Sequence, residues 1–142
     1  MRSIRPCFMH FFRKITHCLP CRLVRECQQQ GDERRIGQIV DHLVDMFSSV
    51  SNALHVRNGG LIGLAGTAIA LGVNIAPYMK GFLEPLLICF SDPENRVRYF
   101  SAECLYNIAK VSKGEVLVYF NPIFDALSKA SPLVLFFLPA YT

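Results

Sequence analysis

Two apolar stripes at helical spacing, on either side of a four-residue break, constrain the fold of this chain more than any other feature. Within residues 83–111 apolar positions recur every three or four residues, and Ser91-Asp92-Pro93-Glu94 interrupts the pattern. Such a period indicates two helices, each with one apolar face. In the break, Ser91 and Asp92 can cap a helix, and Pro93 suits a first helical turn. The segment therefore predicts a helix–turn–helix unit that needs neighbours to cover its apolar faces.

A similar unit lies upstream, and part of a third follows Gly114. Val56-Arg57 aligns with Val97-Arg98 at an offset of 41 residues. A period of about 40 residues is typical of HEAT and armadillo repeats. We therefore predict an all-α, HEAT/armadillo-like α-solenoid fragment of about two and a half helix pairs. Its predicted core positions are Ile36, Val40, Leu43, Val44, Phe47, Leu61, Leu64, Ala65, Ala68 and Leu71, then Leu83, Leu86, Leu87, Phe90, Val97, Ser101, Cys104, Leu105 and Ile108, and finally Val116, Phe120, Ile123, Phe124 and Leu127.

Three blocks of sequence resemble the N-terminal repeats of one family. They read RNGGLIGLAGTAIALG at residues 57–72, DPENRVRYFSAECLYNIAKVSKGEVL at residues 92–117 and FNPIFDALSK at residues 120–129. Through them the chain resembles the vacuole-morphology scaffold family, Vac-fourteen, over roughly residues 32–129. The resemblance implies a non-enzymatic scaffold without a cofactor. It implies two partners, the phosphatidylinositol-3-phosphate 5-kinase that makes phosphatidylinositol 3,5-bisphosphate and the opposing phosphoinositide phosphatase, with other scaffold copies as an open alternative. It also implies a cytoplasmic chain held peripherally on endosomal, lysosomal or vacuolar membranes.

The resemblance further assigns roles to charged and polar side chains. In HEAT arrays an Asp in the turn within a repeat commonly bonds an Arg early in the following helices, which fixes the register between repeats. By resemblance, Asp92, Arg57 and Arg98 are expected to form this ladder. Exposed charges of little energetic weight are the alternative. The predicted partner contacts on the second unit are Tyr99, Tyr106, Asn107 and Lys110, although solenoid packing could equally bury the tyrosines.

The beginning of the chain differs in charge from the rest. Residues 1–27 contain six Lys or Arg and one Glu, a net charge of +5, whereas the remainder has nine basic and ten acidic residues. A basic segment with Phe8, Phe11 and Phe12 is compatible with organelle targeting or a membrane-surface anchor. Pro6 and Pro20 argue against one long amphipathic helix. We predict a poorly ordered basic leader over residues 1–31, HEAT-like repeats over 32–130 and an apolar tail over 131–142.

Cys18 and Cys21 form a CxxC pair within this leader, with Cys7 and Cys27 nearby. A structural zinc site normally requires a second ligand pair at a characteristic spacing, and the chain offers only scattered Cys and His. A redox CxxC is expected at a helix N-terminus beside a thioredoxin-like core, which the helical pattern does not predict. The sequence therefore predicts no metal site and, in a reducing cytosol, free thiols.

Three alternatives to a scaffold stay open. The run from residue 59 to residue 79 carries no charge and is long enough to span a bilayer, but its glycines and Pro77 favour close packing between solenoid helices. The alternatives to a scaffold are thus a small membrane-associated or organelle-targeted protein, a truncated fragment without function, and a thiol enzyme. Asp41, His42 and Asp45 cluster on one helix but predict a solvated face. No catalytic residues are assigned.

The incomplete third unit predicts low stability. Each large apolar side chain left uncovered forfeits about 1.5 to 3 kcal/mol of burial free energy. In a solenoid, stability depends on the interfaces between neighbours and on end caps. We therefore expect the isolated chain to be marginally stable or prone to aggregate unless its apolar tail covers the last helix.

Overall fold

The computed structural model describes residues 15–130, in which helices alternate with short connections and no β-strand occurs. The α-helices are α1 (Leu19–Gln30), α2 (Glu33–Ser48), α3 (Leu54–Leu71), α4 (Ala76–Ile88), α5 (Asn95–Ser112) and α6 (Phe120–Lys129). Short 3-10 helices cover Gly72–Ile75, Cys89–Ser91 and Lys113–Tyr119. The all-α prediction is therefore confirmed.

The helices form two rows. Helix α3 packs against α1 on one side and α5 on the other, while α2 packs against α4 and α4 against α6. Helices α2 and α3 form one pair, and α4 and α5 form the next. This stacking of consecutive pairs is the predicted HEAT-like arrangement. Helix α1 extends the row of α3 and α5 at one end, and α6 extends the row of α2 and α4 at the other.

The apolar core runs along the interface between these rows. Of the predicted core positions in the first two units, all are buried except Val44 and Leu87, which are half-buried. The largest fully buried side chains include Phe47, Phe82 and Phe90. Each such side chain contributes about 1.5 to 3 kcal/mol by leaving water. The core thus contains the predicted stripe positions of these two units and also Ile75, Met79 and Phe82, which the stripes did not include.

The prediction of a poorly ordered leader is wrong for residues 19–31, which form α1 and its C-cap. Pro20 lies in the first turn of α1, where a missing N–H leaves no hydrogen bond unmade, so it starts the helix instead of breaking it. Gly31 ends the helix with a left-handed φ of 68°. Three side chains of the helix are buried, those of Cys21, Val24 and Cys27. Their burial stabilises the helical conformation of this segment. Residues 1–14 and the predicted apolar tail at 131–142 lie outside the described residues.

Glycines in α3 let its neighbours approach closely, as predicted. A β-carbon on Gly60 would lie 2.8 Å from Met46 Cβ and 2.9 Å from the backbone oxygen of Leu43. A β-carbon on Gly66 would lie 2.5 Å from Cys18 Sγ and 2.8 Å from the Ile15 oxygen. Real β-carbons do not occupy such positions, so α2 and the start of α1 can pack at this distance only against glycine.

A longer helical stretch that includes the uncharged run at 59–79 is compatible with a membrane span by length and composition. Residues Leu54–Ser91 contain a window that is long and apolar enough to cross a bilayer, and 56% of it is buried inside the fold. The core helix of a folded protein can have the same length and composition, so this finding is weak evidence for a membrane span. In this structure α3 lies at the centre of the helical array.

Candidate partner-binding surface and inter-repeat contact

A buried ion pair joins the two helix pairs. Arg57 lies in the first turn of α3, and Asp92 lies in the turn between α4 and α5. Arg57 Nη2 donates to Asp92 Oδ2 at 2.6 Å, and the two side chains are only 5% and 7% exposed. Arg57 Nε also donates to the backbone oxygen of Phe47, at the end of α2, at 3.0 Å. One guanidinium therefore contacts both helices of its own pair and the turn of the next pair.

Arg98 contacts the backbone of the same turn. Its Nη1 donates to the backbone oxygen of Asp92 and, at 3.0 Å, to that of Pro93. Its Nη2 donates to Asn95 Oδ1. The Asp92 carboxylate meanwhile accepts the Glu94 N–H at 2.9 Å. The structure thus brings the three expected ladder residues together, with Arg57 on the carboxylate of Asp92 and Arg98 on its carbonyl.

The electrostatics of this contact favour the charged forms of both partners. Burial alone would raise the pKa of Asp92, but hydrogen bonds from Arg57 and the Glu94 N–H, together with the charges of Arg57 and Arg98, lower it below its ordinary value of 3.8. The hydrogen bond to Asp92 raises the pKa of Arg57, against the opposing effect of burial. The pair therefore stays ionised at neutral pH.

The four predicted partner contacts on α5 separate by burial. Lys110 is exposed, and Tyr99 and Tyr106 are half-buried. Asn107 is only 2% exposed, and its side-chain amide donates to the Glu103 backbone oxygen at 2.8 Å. The prediction for Asn107 as a partner contact is therefore wrong. Asn107 is adjacent to the core residue Ile108 and satisfies its amide within its own helix.

An exposed apolar surface on α6 and the preceding 3-10 helix was only partly predicted. We define the α6 surface as Leu117, Val118, Phe120 and Phe124, of which Phe120 is 57% and Phe124 62% exposed. The rings of these two phenylalanines stack with centroids 5.9 Å apart. Exposed apolar clusters of this kind commonly mark interaction sites. The remaining apolar residues of this unit, Val116, Ile123 and Leu127, pack against the core.

An open groove lies between α4 and α6, on another side of α6. Its volume is about 450 Å³, and its lining includes Leu87, Ile88, Tyr119 and Pro122. Ile88 is 70% exposed. The periodicity of the sequence could not reveal the groove, because Ile88 and Tyr119 fall outside the predicted stripes and meet only when α4 and α6 pack.

The cysteine pair and the acidic cluster noted in the sequence are not joined by further side chains into a metal or catalytic site within residues 15–130. Cys18 precedes α1 and Cys21 lies in its first turn, and burial raises the pKa of both thiols. Asp41, His42 and Asp45 are exposed on α2, as expected for a solvated face. Within residues 15–130, no group of three or more His, Cys, Asp or Glu side chains is placed to hold a metal ion.

Comparisons with known proteins agree on one family. The family model of the Vacuolar 14 Fab1-binding region matches residues 55–132. The chain is 49% identical over 111 residues to the Vacuole morphology and inheritance protein 14 of Saccharomyces cerevisiae, which covers 78% of this chain and 13% of that protein. It is 41% identical over 109 residues to the Protein VAC14 homolog of Arabidopsis thaliana, covering 77% of this chain and 14% of the relative. The Protein VAC14 homolog of Schizosaccharomyces pombe is 43% identical over 118 residues, covering 82% of this chain and 14% of the relative.

No solved structure matches this chain. The chain spans about one seventh of the length of the curated relatives above. The matched region begins in α3 and includes the ion pair, the groove and the α6 surface. Because the family model covers more than half of its residues, the chain belongs to the Vacuolar 14 Fab1-binding region family.

Proposed function

We propose that this chain is a non-catalytic protein-interaction module that binds Fab1 through the α6 surface and the groove between α4 and α6. One observation carries the proposal. The region that matches a Fab1-binding family, residues 55–132, contains both the α6 surface and the groove. A bound protein partner would cover the apolar side chains that this surface exposes to water.

The chemistry of the α6 surface suits a protein partner. Aromatic side chains are large contact surfaces with few rotatable bonds, and they are frequent among the residues that dominate binding energy. Phe120 and Phe124 present two adjacent rings on one face of a helix. Covering one such ring yields about 1.5 to 3 kcal/mol before the entropic cost of association. We therefore expect the two phenylalanines to contribute most to binding.

The wider role follows from the resemblance and is part of the proposal. The partner Fab1 corresponds to the expected kinase that makes phosphatidylinositol 3,5-bisphosphate. The chain would act as a scaffold element for that kinase, located peripherally on vacuolar or endosomal membranes. The relative in Saccharomyces cerevisiae carries vacuole morphology and inheritance in its name, which supports this location. Binding of the opposing phosphatase is proposed on the resemblance alone.

A binding assay with matched variants tests the proposal. The full chain is immobilised, purified Fab1 is titrated over it, and equilibrium binding is compared with that of the double variant Phe120→Ser/Phe124→Ser. The control is Val50→Ser, because Val50 is 75% exposed and lies outside the matched region. Loss of about 2 kcal/mol or more at a dominant contact corresponds to at least about 30-fold weaker binding. Circular dichroism verifies that each variant is folded.

We expect Fab1 to bind the wild-type chain and the Val50 variant equally and to bind the double phenylalanine variant at least about 30-fold more weakly. Equal weakening by Val50→Ser would place the contact elsewhere. A folded wild-type chain that captures no Fab1 would refute the proposed function for this chain.

A further inference from the structure

Cys18 and Cys21 lie side by side at the start of α1 and face the same point on α3. A β-carbon placed on Gly66 would be 2.5 Å from Cys18 Sγ and 3.5 Å from Cys21 Cβ. Cys18 Sγ and Cys21 Cβ are therefore at most about 6 Å apart, which is the sum of their distances from this one β-carbon position. The Cys18 sulfur also lies near the backbone N–H of Cys21. Both side chains thus point into one small space between α1 and α3.

The backbone of this turn has the dimensions that a disulfide requires. Cys18 precedes the first residue of α1, and the Arg22 N–H donates to its carbonyl at 3.3 Å, so residues 18–22 follow a helical turn. Over three residues a helix rises about 4.5 Å and nearly completes a turn, which separates the α-carbons by about 5 Å. Disulfides join cysteines whose α-carbons are roughly 4.4 to 6.8 Å apart. Closing the bond therefore needs a change of side-chain rotamers and little movement of the backbone.

The two thiols differ in access. Cys18 is half-buried, whereas Cys21 has no exposed surface. A reagent in solution can therefore reach Cys18 first. Cys27 is buried on the same helix but lies nine residues from Cys18, more than two turns away. Among the described cysteines, Cys21 is thus the thiol placed to react with a modified Cys18.

We propose that Cys18 and Cys21 form a reversible intrachain disulfide by exchange with a small-molecule disulfide such as glutathione disulfide. The Cys18 thiol loses its proton, and its sulfur attacks one sulfur of the reagent, which breaks the reagent's S–S bond and releases one thiol. The deprotonated Cys21 sulfur then attacks the Cys18 sulfur of this mixed disulfide and releases the second thiol. In total, the two cysteine thiols lose two hydrogens and their sulfurs form one S–S bond. The small-molecule disulfide gains these two hydrogens and becomes two thiols.

The environment of the pair sets how this exchange responds to pH. Burial raises the pKa of both thiols, and the nearby charge of Arg25 opposes the rise. The attacking species is the thiolate, so formation of the bond is slow at neutral pH and accelerates as pH rises toward the thiol pKa.

Mass mapping on the full chain tests the proposal directly. The chain is equilibrated with mixtures of reduced and oxidised glutathione, quenched in acid, alkylated and digested. We expect the doubly alkylated peptide that contains both residues to be replaced, as the oxidised fraction rises, by an unalkylated peptide two hydrogens lighter than its dithiol form. The doubly alkylated peptide should reappear when reduced glutathione is restored. Cys89 and Cys104 are the internal controls, because they are at most 3% exposed and should stay reduced at every glutathione ratio, so that both are alkylated after the quench.

Two variants identify the order of the steps. Cys21→Ala should accumulate a stable glutathione adduct on Cys18, and Cys18→Ala should form none on Cys21, which is fully buried. If circular dichroism shows that either variant is unfolded, the peptide map of the wild-type chain still shows whether the disulfide between Cys18 and Cys21 forms. A persistent Cys18–glutathione adduct in the wild-type chain, or a link from Cys18 to Cys7 or Cys27, would overturn the proposal. So would an unmodified pair at the most oxidising ratio.

Discussion

Replacing Arg57 with Met should destabilise the fold by about 3 kcal/mol. The variant removes the cation from a pair that is 5% and 7% exposed, so the Asp92 carboxylate stays buried without its main partner. It also removes the donor to the Phe47 carbonyl. Removing one member of a buried ion pair costs about 3 to 5 kcal/mol. We expect the lower end, because Asp92 keeps the Glu94 N–H and the nearby charge of Arg98.

A second ion pair of nearly the same length supplies a matched control. Lys129 Nζ lies 2.7 Å from Asp125 Oδ2, but these side chains are 68% and 62% exposed. Pairs of this kind contribute about 0.3 to 0.5 kcal/mol when they lie four residues apart on a helix. Lys129→Met should therefore lower the free energy of unfolding by no more than about 0.5 kcal/mol. The two variants make the same type of charge deletion and differ in burial.

Urea unfolding followed by circular dichroism measures both free energies. The midpoint should fall markedly for Arg57→Met and hardly move for Lys129→Met, with similar slopes for all three proteins. Adding Asp92→Asn to Arg57→Met should recover part of the loss, because it removes the unpaired charge. If Arg57→Met costs less than about 1 kcal/mol, or no more than the control, the buried pair does not hold the two helix pairs together.

Three further predictions concern Asp92 and two glycines. Because the pKa of Asp92 is lowered in the folded chain, its contribution to stability is complete above the ordinary value of 3.8 and is lost as pH falls through the folded pKa. The urea midpoint of the wild-type chain should therefore fall more steeply below about pH 4 than the midpoint of Asp92→Asn. An equal dependence on pH in the two proteins would contradict the assignment. Gly60→Ala should destabilise by about 1 to 3 kcal/mol, because its new methyl group meets backbone atoms of α2. Gly37→Ala, inside α2 with nothing within 4 Å, should stabilise by about 0.4 to 1 kcal/mol. Thermal melts measure both, and a stabilising Gly60→Ala would mean that α2 and α3 are not in close contact.

The periodic part of the fold could be predicted from the sequence because burial follows helical spacing. Leu61, Leu64 and Ile108 are fully buried, as the stripes indicated. The offset of 41 residues also placed Arg57 and Asp92 in neighbouring units, and the structure brings them to 2.6 Å. That this ion pair fixes the register between repeats stays a prediction, which the Arg57→Met experiment tests. The pattern was sufficient in the first two units because each of their helices buries its apolar stripe against other helices.

Features that depend on how particular surfaces meet could not be predicted. Helix α1 was missed because Pro20 and the basic composition suggested disorder. The burial of Val24 arises only when α1 packs against the folded α2 and α3. Asn107 was assigned to a surface because it is polar, although its amide is satisfied within α5. The third unit was predicted to have one apolar face, but its helix packs Ile123 inward and leaves Phe124 exposed. The sequence alone does not show which of two apolar sides has a neighbour.

The unequal number of neighbours along the array has a consequence for motion. Helix α3 contacts α1, α2 and α5, whereas α6 contacts α4 and short 3-10 segments. In a linear array local opening requires least free energy where neighbours are fewest, so α6 should open far more often than α3. A partner that binds α6 must then hold this helix in place as well as cover its rings, and part of the binding free energy is used for that ordering. Affinity would respond to substitutions at the contact between α4 and α6 that the partner never touches.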